Sequence, residues 1–509
     1  MSSNMNNLEK ASGEPRDELQ AQATAERNLT GQDDPLNWSL ASRSCYTSLV
    51  VGMAGVVGFS SSVMTPAIKT ISQDFNTSTT LSTLGATTYL VGFGFGPFLF
   101  APLAEVFGRN IIYRTTFLVF CLANLGCALA PDIAAFLIFR FLAGFTGAPS
   151  VANSGGSIVD LWPESERSVP FSFYTLACFC GPVLAPIVAG FLTQYVSWRW
   201  NFWLVLIISS TLWVAVLLFL PETYPCKLLE QRLERQEASD SETNRVYEEN
   251  GLAQRPSLAS RFMISLTRPW TMLFTEPILI SLSLYMAFIY GVLYLDFTAY
   301  PVVFQTARGW PLSISGLSFL GIGTGMALAT ALSPAVNRVH AHYVRKLNAH
   351  SHGASTRCSS SSSSFQPPQR SQPEARLPHL IFVAWLLPLG LFWFGWTALA
   401  PTPWAWSIVS GVPFGFGLVM LFLGITAYLT DCYAKYSTSA LAANSLLRSL
   451  FGAGFALFAD GMYDRLGTPW ATSILGFCSL AMAFLPLVFY VYGARIRGLS
   501  KFHLATLKR

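Results

Sequence analysis

Twelve stretches of about twenty apolar residues, nearly free of charge, constrain this chain more than any other feature. In hydrocarbon every backbone N–H and C=O must find its partner within the segment, so runs of this length read as helices that cross a bilayer. They fall at about 45–68, 82–103, 111–130, 134–159, 169–191 and 199–220, then at about 277–300, 312–334, 379–399, 404–430, 437–460 and 470–492. A polar gap parts six from six. Only 12% of residues are charged, against roughly 25% in soluble domains. The expected fold is an all-α polytopic membrane protein with 12 transmembrane helices in two six-helix halves, 45–220 and 277–492.

The segments outside the spans set the orientation. Residues 1–44 are polar, with seven acidic and four basic side chains, and read as a disordered cytosolic tail rather than a cleavable signal peptide. Residues 221–276 form a charged central loop, and 493–509 a second tail. Residues 337–378 carry the serine run Ser359 to Ser364 with Gln/Pro-rich sequence, and read as a disordered insertion between spans 8 and 9. With both termini in the cytosol, that face collects 26 of the 32 Lys/Arg, as the positive-inside bias requires. The sequon at Asn76 then lies outside and is the expected glycosylation site, whereas the sequon at Asn28 lies inside.

Several function classes lose support. The net charge of +5 forms no basic stripe, which argues against nucleic acid. The nine cysteines are scattered, mostly within apolar runs, and read as small hydrophobes. Cys178-x-Cys180 has no nearby His, and His340-x-His342 and His350-x-His352 fall in the polar insertion, so no metal or other cofactor is expected. No His sits mid-span, which removes a histidine proton relay. No paired acid/base cluster shares one membrane depth, so an enzyme is not expected. Bilayer lipid, protons and a small molecule are the expected partners of a monomer.

The two halves repeat each other. Gly94, Gly96 and Arg109 recur 229 residues on as Gly323, Gly325 and Arg338. Gly144, Asp160, Gly181 and Gly190 recur 271 residues on as Gly415, Asp431, Gly452 and Gly461. The offset steps up where the serine-rich insertion lies. Two parallel six-helix repeats about an axis normal to the membrane describe the major facilitator architecture, which works by rocking one half against the other.

Motifs sharpen this reading. Gly96-Pro-Phe-Leu-Phe-Ala-Pro-Leu-Ala-Glu105-Val-Phe-Gly108-Arg109 resembles the loop 2–3 motif of that superfamily, G-x-L-x-D-R-x-G-R, with Glu105 at the acidic position and Asn110 after Arg109 where a second basic residue is usual. Arg140-Phe-Leu-Ala-Gly144 resembles the span 4 motif R-x-x-x-G, and Gly181-Pro182-Val-Leu-Ala-Pro186-Ile-Val-Ala-Gly190 resembles the span 5 motif of antiporters. Longer matches include Asp34-Pro-Leu-Asn-Trp38, Pro221-Glu-Thr-Tyr224, Tyr290-Gly-Val-Leu-Tyr294, Pro373-Glu-Ala-Arg-Leu377 and Asn444-Ser-Leu-Leu-Arg448. Together they look like the fungal twelve-span drug:proton antiporter family of multidrug, polyamine and secondary-metabolite exporters. The resemblance implies proton-coupled efflux of amphipathic organic compounds at the plasma membrane, powered by the proton gradient. Uptake or facilitated diffusion on the same fold is the alternative.

Candidate site residues follow. A cytosolic gate would use Gly96, Glu105, Gly108, Arg109, Asp160 and Asp431, with Glu105, Arg109 and Asp160 gathered at the start of span 11 around 439–444. Intramembrane charge falls on Arg140, Asp296 and Arg448, and such residues are functional candidates by default. Tyr174, Tyr290, Tyr294, Trp393 and Tyr428 are candidate cavity walls. With so few acids in the spans, a polycation would lack counter-ions, and a neutral or weakly charged aromatic substrate is expected.

Overall fold

Hydrophobic length decides the elements: each apolar run becomes one long helix, and polar or proline-bearing segments divide them. The computed structural model describes residues 34–163, 166–236, 258–355, 373–399, 401–433 and 436–500. The first half comprises α1 (Leu40–Ser62), α2 (Thr79–Phe107), α3 (Arg109–Leu129), α4 (Ile133–Leu161), α5 (Ser168–Tyr195) and α6 (Arg199–Phe219). The second comprises α7 (Pro277–Ala307), α8 (Leu312–Val336), α9 (Leu377–Thr397), α10 (Trp404–Cys432), α11 (437–466) and α12 (468–493). The last two spans run on as one apolar stretch, Ser437–Gly493, so that by length alone there are eleven candidates. Gly467, at φ 70° and ψ 159°, turns the backbone through a conformation that only glycine adopts readily, and makes the twelfth.

Packing repeats in the two halves. In the first, α1 packs on α5 and α2 on α4; in the second, α7 packs on α11 and α8 on α10. The halves meet through α2 with α11 and α5 with α8. Gly96 admits the backbone of α4, and Gly325 admits that of α10, at equivalent places. Each half has its own buried apolar core.

Three boundaries differ from expectation. The chain is ordered before residue 45: Asp34 accepts a hydrogen bond from Leu36 N–H at 2.9 Å, Ser39 caps α1, and the Trp38 ring meets Tyr46 at 5.5 Å. The central loop contains the helices Pro225–Gln236 and Leu258–Thr275; the second packs against both α2 and α11, its Trp270 stacked on Phe98. The insertion begins as a helical extension of α8 that continues to Ser355, because 337–352 contains neither Gly nor Pro. Ser359 to Ser364, and Asn28, lie outside the described residues.

Candidate functional site

The midplane between the halves encloses a cavity of about 70 Å³, lined by α1, α2, α4, α5, α7, α10 and α11. Its walls are rich in aromatic side chains: Tyr89, Phe93, Tyr174, Phe179, Tyr290, Tyr294 and Phe422 all border it. The volume is far below the roughly 300–1,000 Å³ of a drug-sized site. Contacts flank it on two sides. On one side Ser172 and Ser333 share a hydrogen bond of 2.9 Å and Phe98 stacks on Trp270; on the other, Gln194 accepts from Ser313 N–H at 2.7 Å. Across the middle, the Tyr290 hydroxyl donates to Tyr294, which donates to Ser61 of α1 at 2.7 Å.

Three of the five aromatics singled out in the sequence line this cavity. Two do not. Trp393 faces Trp406 at a ring distance of 6.0 Å on the flank of the second half. Tyr428 is fully buried between α10 and α12 beside Gly493. Both are large side chains on apolar helices, and sequence does not distinguish the face they occupy. Tyr89, Phe93, Phe179 and Phe422 were missed for the same reason.

The three intramembrane charges part company. Arg140 is wholly buried and donates to three backbone carbonyls, Gly85 at 3.0 Å, Ser60 at 2.9 Å and Ser61 at 3.1 Å, with the Tyr89 ring 4.4 Å from its guanidinium carbon. It ties α4 to α1 and α2 and does not border the cavity. Arg448 does border it, stacked on Tyr290 at 4.7 Å and Phe422 at 5.1 Å. Asp296 is buried in the second half, facing Tyr300 and Tyr463; its Oδ1 accepts no hydrogen bond, and among the described residues no cation pairs with it.

The charged loop motif forms a compact knot between α3, α4 and the segment that follows α6. Arg109 Nε donates to Asp160 at 2.6 Å, Nη1 donates to the Asn153 carbonyl at 3.4 Å, and the guanidinium lies over the Tyr224 ring at 5.5 Å. Gly108, at φ 91°, turns the chain so that α3 starts with its amides open. Glu222 fills that opening: its carboxylate accepts from the Arg109 N–H at 3.0 Å and the Asn110 N–H at 3.1 Å. A carboxylate at the positive end of a helix is favoured by dipole and hydrogen bonds together. Glu105 lies near Tyr224, whose phenol is held well above its ordinary pKa by burial, with Cys226 and Glu105 adding to the effect. Of Arg109's partners, Asp160 and Asn153 lie in α4 and Tyr224 lies in the segment that follows α6. Glu222 was the missed residue, visible in sequence only as part of Pro221-Glu-Thr-Tyr224.

The second half repeats this knot with a different arginine. Asp431 pairs with Arg376, which directly precedes α9 as Arg109 opens α3, and Glu374 pairs with Arg497 at 2.7 Å. Arg338 is therefore not the counterpart of Arg109. The insertion separates α8 from the loop motif, so the repeat resumes only after it. In the antiporter-like motif, Gly181 lets α5 approach the α1 backbone near Gly55, Gly190 lets it approach Leu312 of α8, and Pro182 and Pro186 lie within the same helix. Asn76 is exposed in the turn before α2, in a left-handed conformation at φ 52°.

Known proteins share this whole plan. The family model described as Major Facilitator Superfamily matches residues 50–456. The efflux pump MFS2 of Trichophyton rubrum is 39% identical over 92% of this chain and 75% of its own length. The multidrug transporter mdrA of Aspergillus fumigatus is 40% identical over 91% and 73%. The citrinin biosynthesis cluster transporter mrr1 of Monascus ruber is 37% identical over 92% and 90%. In fold, the chain is similar to the xylose transporter XylE of E. coli in a partially occluded inward-open conformation, at TM-score 0.62 and 17% identity over 89% of this chain and 98% of that one. Two six-helix halves about a shared cavity, matching loop knots and a likeness that runs nearly end to end make this chain a member of the major facilitator superfamily.

Proposed function

We infer that the chain exports small amphipathic organic molecules across the plasma membrane in exchange for protons, with both termini in the cytosol. The observation that carries this reading is the small cavity, rich in aromatic side chains, on the interface of the two halves, in a chain whose relatives are efflux pumps. Alternating access requires one half to rock on the other, so that each face reaches this cavity in turn. Small residues at the α5–α8 and α2–α11 contacts support that rocking, since they allow backbones to slide closely without interlocked side chains. The Arg109–Asp160 and Arg376–Asp431 knots keep each half rigid at its inner end while it moves.

Proton coupling needs a group that is neutral in one state and ionised in another. Asp296 fits this role, being buried, without a paired cation and shielded by Tyr300 and Tyr463. No cofactor takes part; the proton gradient supplies the energy. Uptake of a fluorescent amphipathic probe into inverted plasma-membrane vesicles tests the whole reading. Acidifying the lumen should drive accumulation, and collapsing the gradient should abolish it. Accumulation indifferent to the gradient would refute the antiport mechanism.

A further inference from the structure

The central cavity holds one charge and no answer to it. Arg448 is 9% exposed, its Nε makes no hydrogen bond, and among the described residues no carboxylate pairs with it. The other residues that border the cavity are apolar, aromatic, hydroxyl-bearing or thiol-bearing; none is acidic. Arg140 shows how this chain satisfies a guanidinium it uses for structure, with three carbonyls at hydrogen-bond distance. Arg448 has only two ring faces, which offset part of the cost of burying a cation.

None of the described acids of the spans, Glu105 of α2 included, borders this cavity. Asp160 and Asp431 are paired at their loop knots. Asp460 and Asp464 border a different crevice, with Lys69, between the ends of α1, α7 and α11. Asp296 faces Tyr300 and Tyr463 within the second half. The counter-ion that fits Arg448 must come from the transported molecule.

We propose that Arg448 is an anion subsite, and that the preferred substrates are aromatic organic acids that place a carboxylate on its guanidinium and their rings against Tyr290 and Phe422. This rests on the export reading above and narrows its substrate class from neutral amphipaths to acids. The planar fork of a guanidinium matches a carboxylate in two parallel hydrogen bonds, which a neutral amide of the same shape cannot reproduce. At about 70 Å³ the cavity is too small for such a molecule, so the acid meets Arg448 as the halves part.

Calorimetric titration of the full chain in lipid nanodiscs at neutral pH, with naphthoate, naphthamide and naphthylmethylamine, tests the subsite. Naphthoate should bind about tenfold or more tighter than naphthamide, with the amine weakest. Arg448→Gln should cut the naphthoate-to-naphthamide affinity ratio by about the same factor, and Arg448→Lys should keep naphthoate ahead. Equal binding of amide and acid by the wild-type protein, preference for the amine, or an unchanged ratio in Arg448→Gln would overturn the proposal. If Arg448→Gln fails to fold, the wild-type ranking alone decides. Uptake of the same probes by inverted vesicles separates the two readings. Selective naphthoate binding without uptake of any probe would sink export and leave the subsite standing. Uptake of amide and amine with exclusion of naphthoate would sink the subsite and leave export standing.

Discussion

Removing one partner of the Arg109–Asp160 pair should hurt this protein more than removing both. The Asp160 side chain is 1% exposed and that of Arg109 is 16% exposed, with Nε–Oδ2 at 2.6 Å. Asp160→Asn leaves a nearly buried guanidinium with no carboxylate, a loss of about 3–5 kcal/mol. Arg109→Gln leaves the buried carboxylate instead, at a similar cost. The double variant Arg109→Gln/Asp160→Asn strands no charge and keeps a neutral side-chain hydrogen bond, so its loss should fall below either single loss. The coupling should reach the upper part of the usual range for touching residues, about 0.5–3 kcal/mol, or exceed it. Thermal survival of the purified transporter, read as the monodisperse fraction after heating, ranks the four proteins. Because the pair lies within one half, substrate affinity in the double variant should stay near wild type. A double variant that loses the sum of the two single losses, or an Asp160→Asn protein as heat-stable as wild type, would refute the reasoning.

The remaining expectations rest on other parts of the molecule. Arg140→Ala removes three hydrogen bonds to buried carbonyls that tie α4 to α1 and α2 and empties the volume of a wholly buried side chain, so the variant should fail to reach the surface; normal surface levels with impaired export would instead make it a transport residue. Asp296→Asn should lose gradient-driven export while still exchanging labelled for unlabelled substrate, and gradient-driven export in this variant would remove Asp296 as the proton carrier. Glycosidase treatment should shift the mobility only of protein carrying Asn76, and glycan on Asn28 would reverse the topology. Deleting residues 359–373 should leave export unchanged at matched surface expression, since lengthening or shortening a surface connection costs little; total loss would give the insertion a role in transport.

How far the sequence speaks depends on which physical signal a feature leaves. Span count was legible because membrane crossing demands length and apolarity together, and both are written linearly. The glycine repeats were legible because a helix–helix contact at backbone distance admits no side chain, as Gly96 at α4 and Gly325 at α10 show. The Arg109 counterpart was misassigned because equal spacing was extended through a long insertion, whereas three-dimensional equivalence resumes at Arg376. Glu222 left a weak signal, since its role depends on a chain segment 113 residues away folding back over the start of α3. The hardest distinction concerned Arg140 and Arg448. Each is a single arginine in an apolar run, and each leaves the same mark in sequence. What separates them is the helix face: one turns toward the carbonyls of α1 and α2, the other toward a cavity shared by two halves. That difference is a rotation about a helix axis fixed by the neighbouring helices, so it arises only when the halves are assembled. The same rotation turns one guanidinium into a structural clamp and leaves the other awaiting an anion.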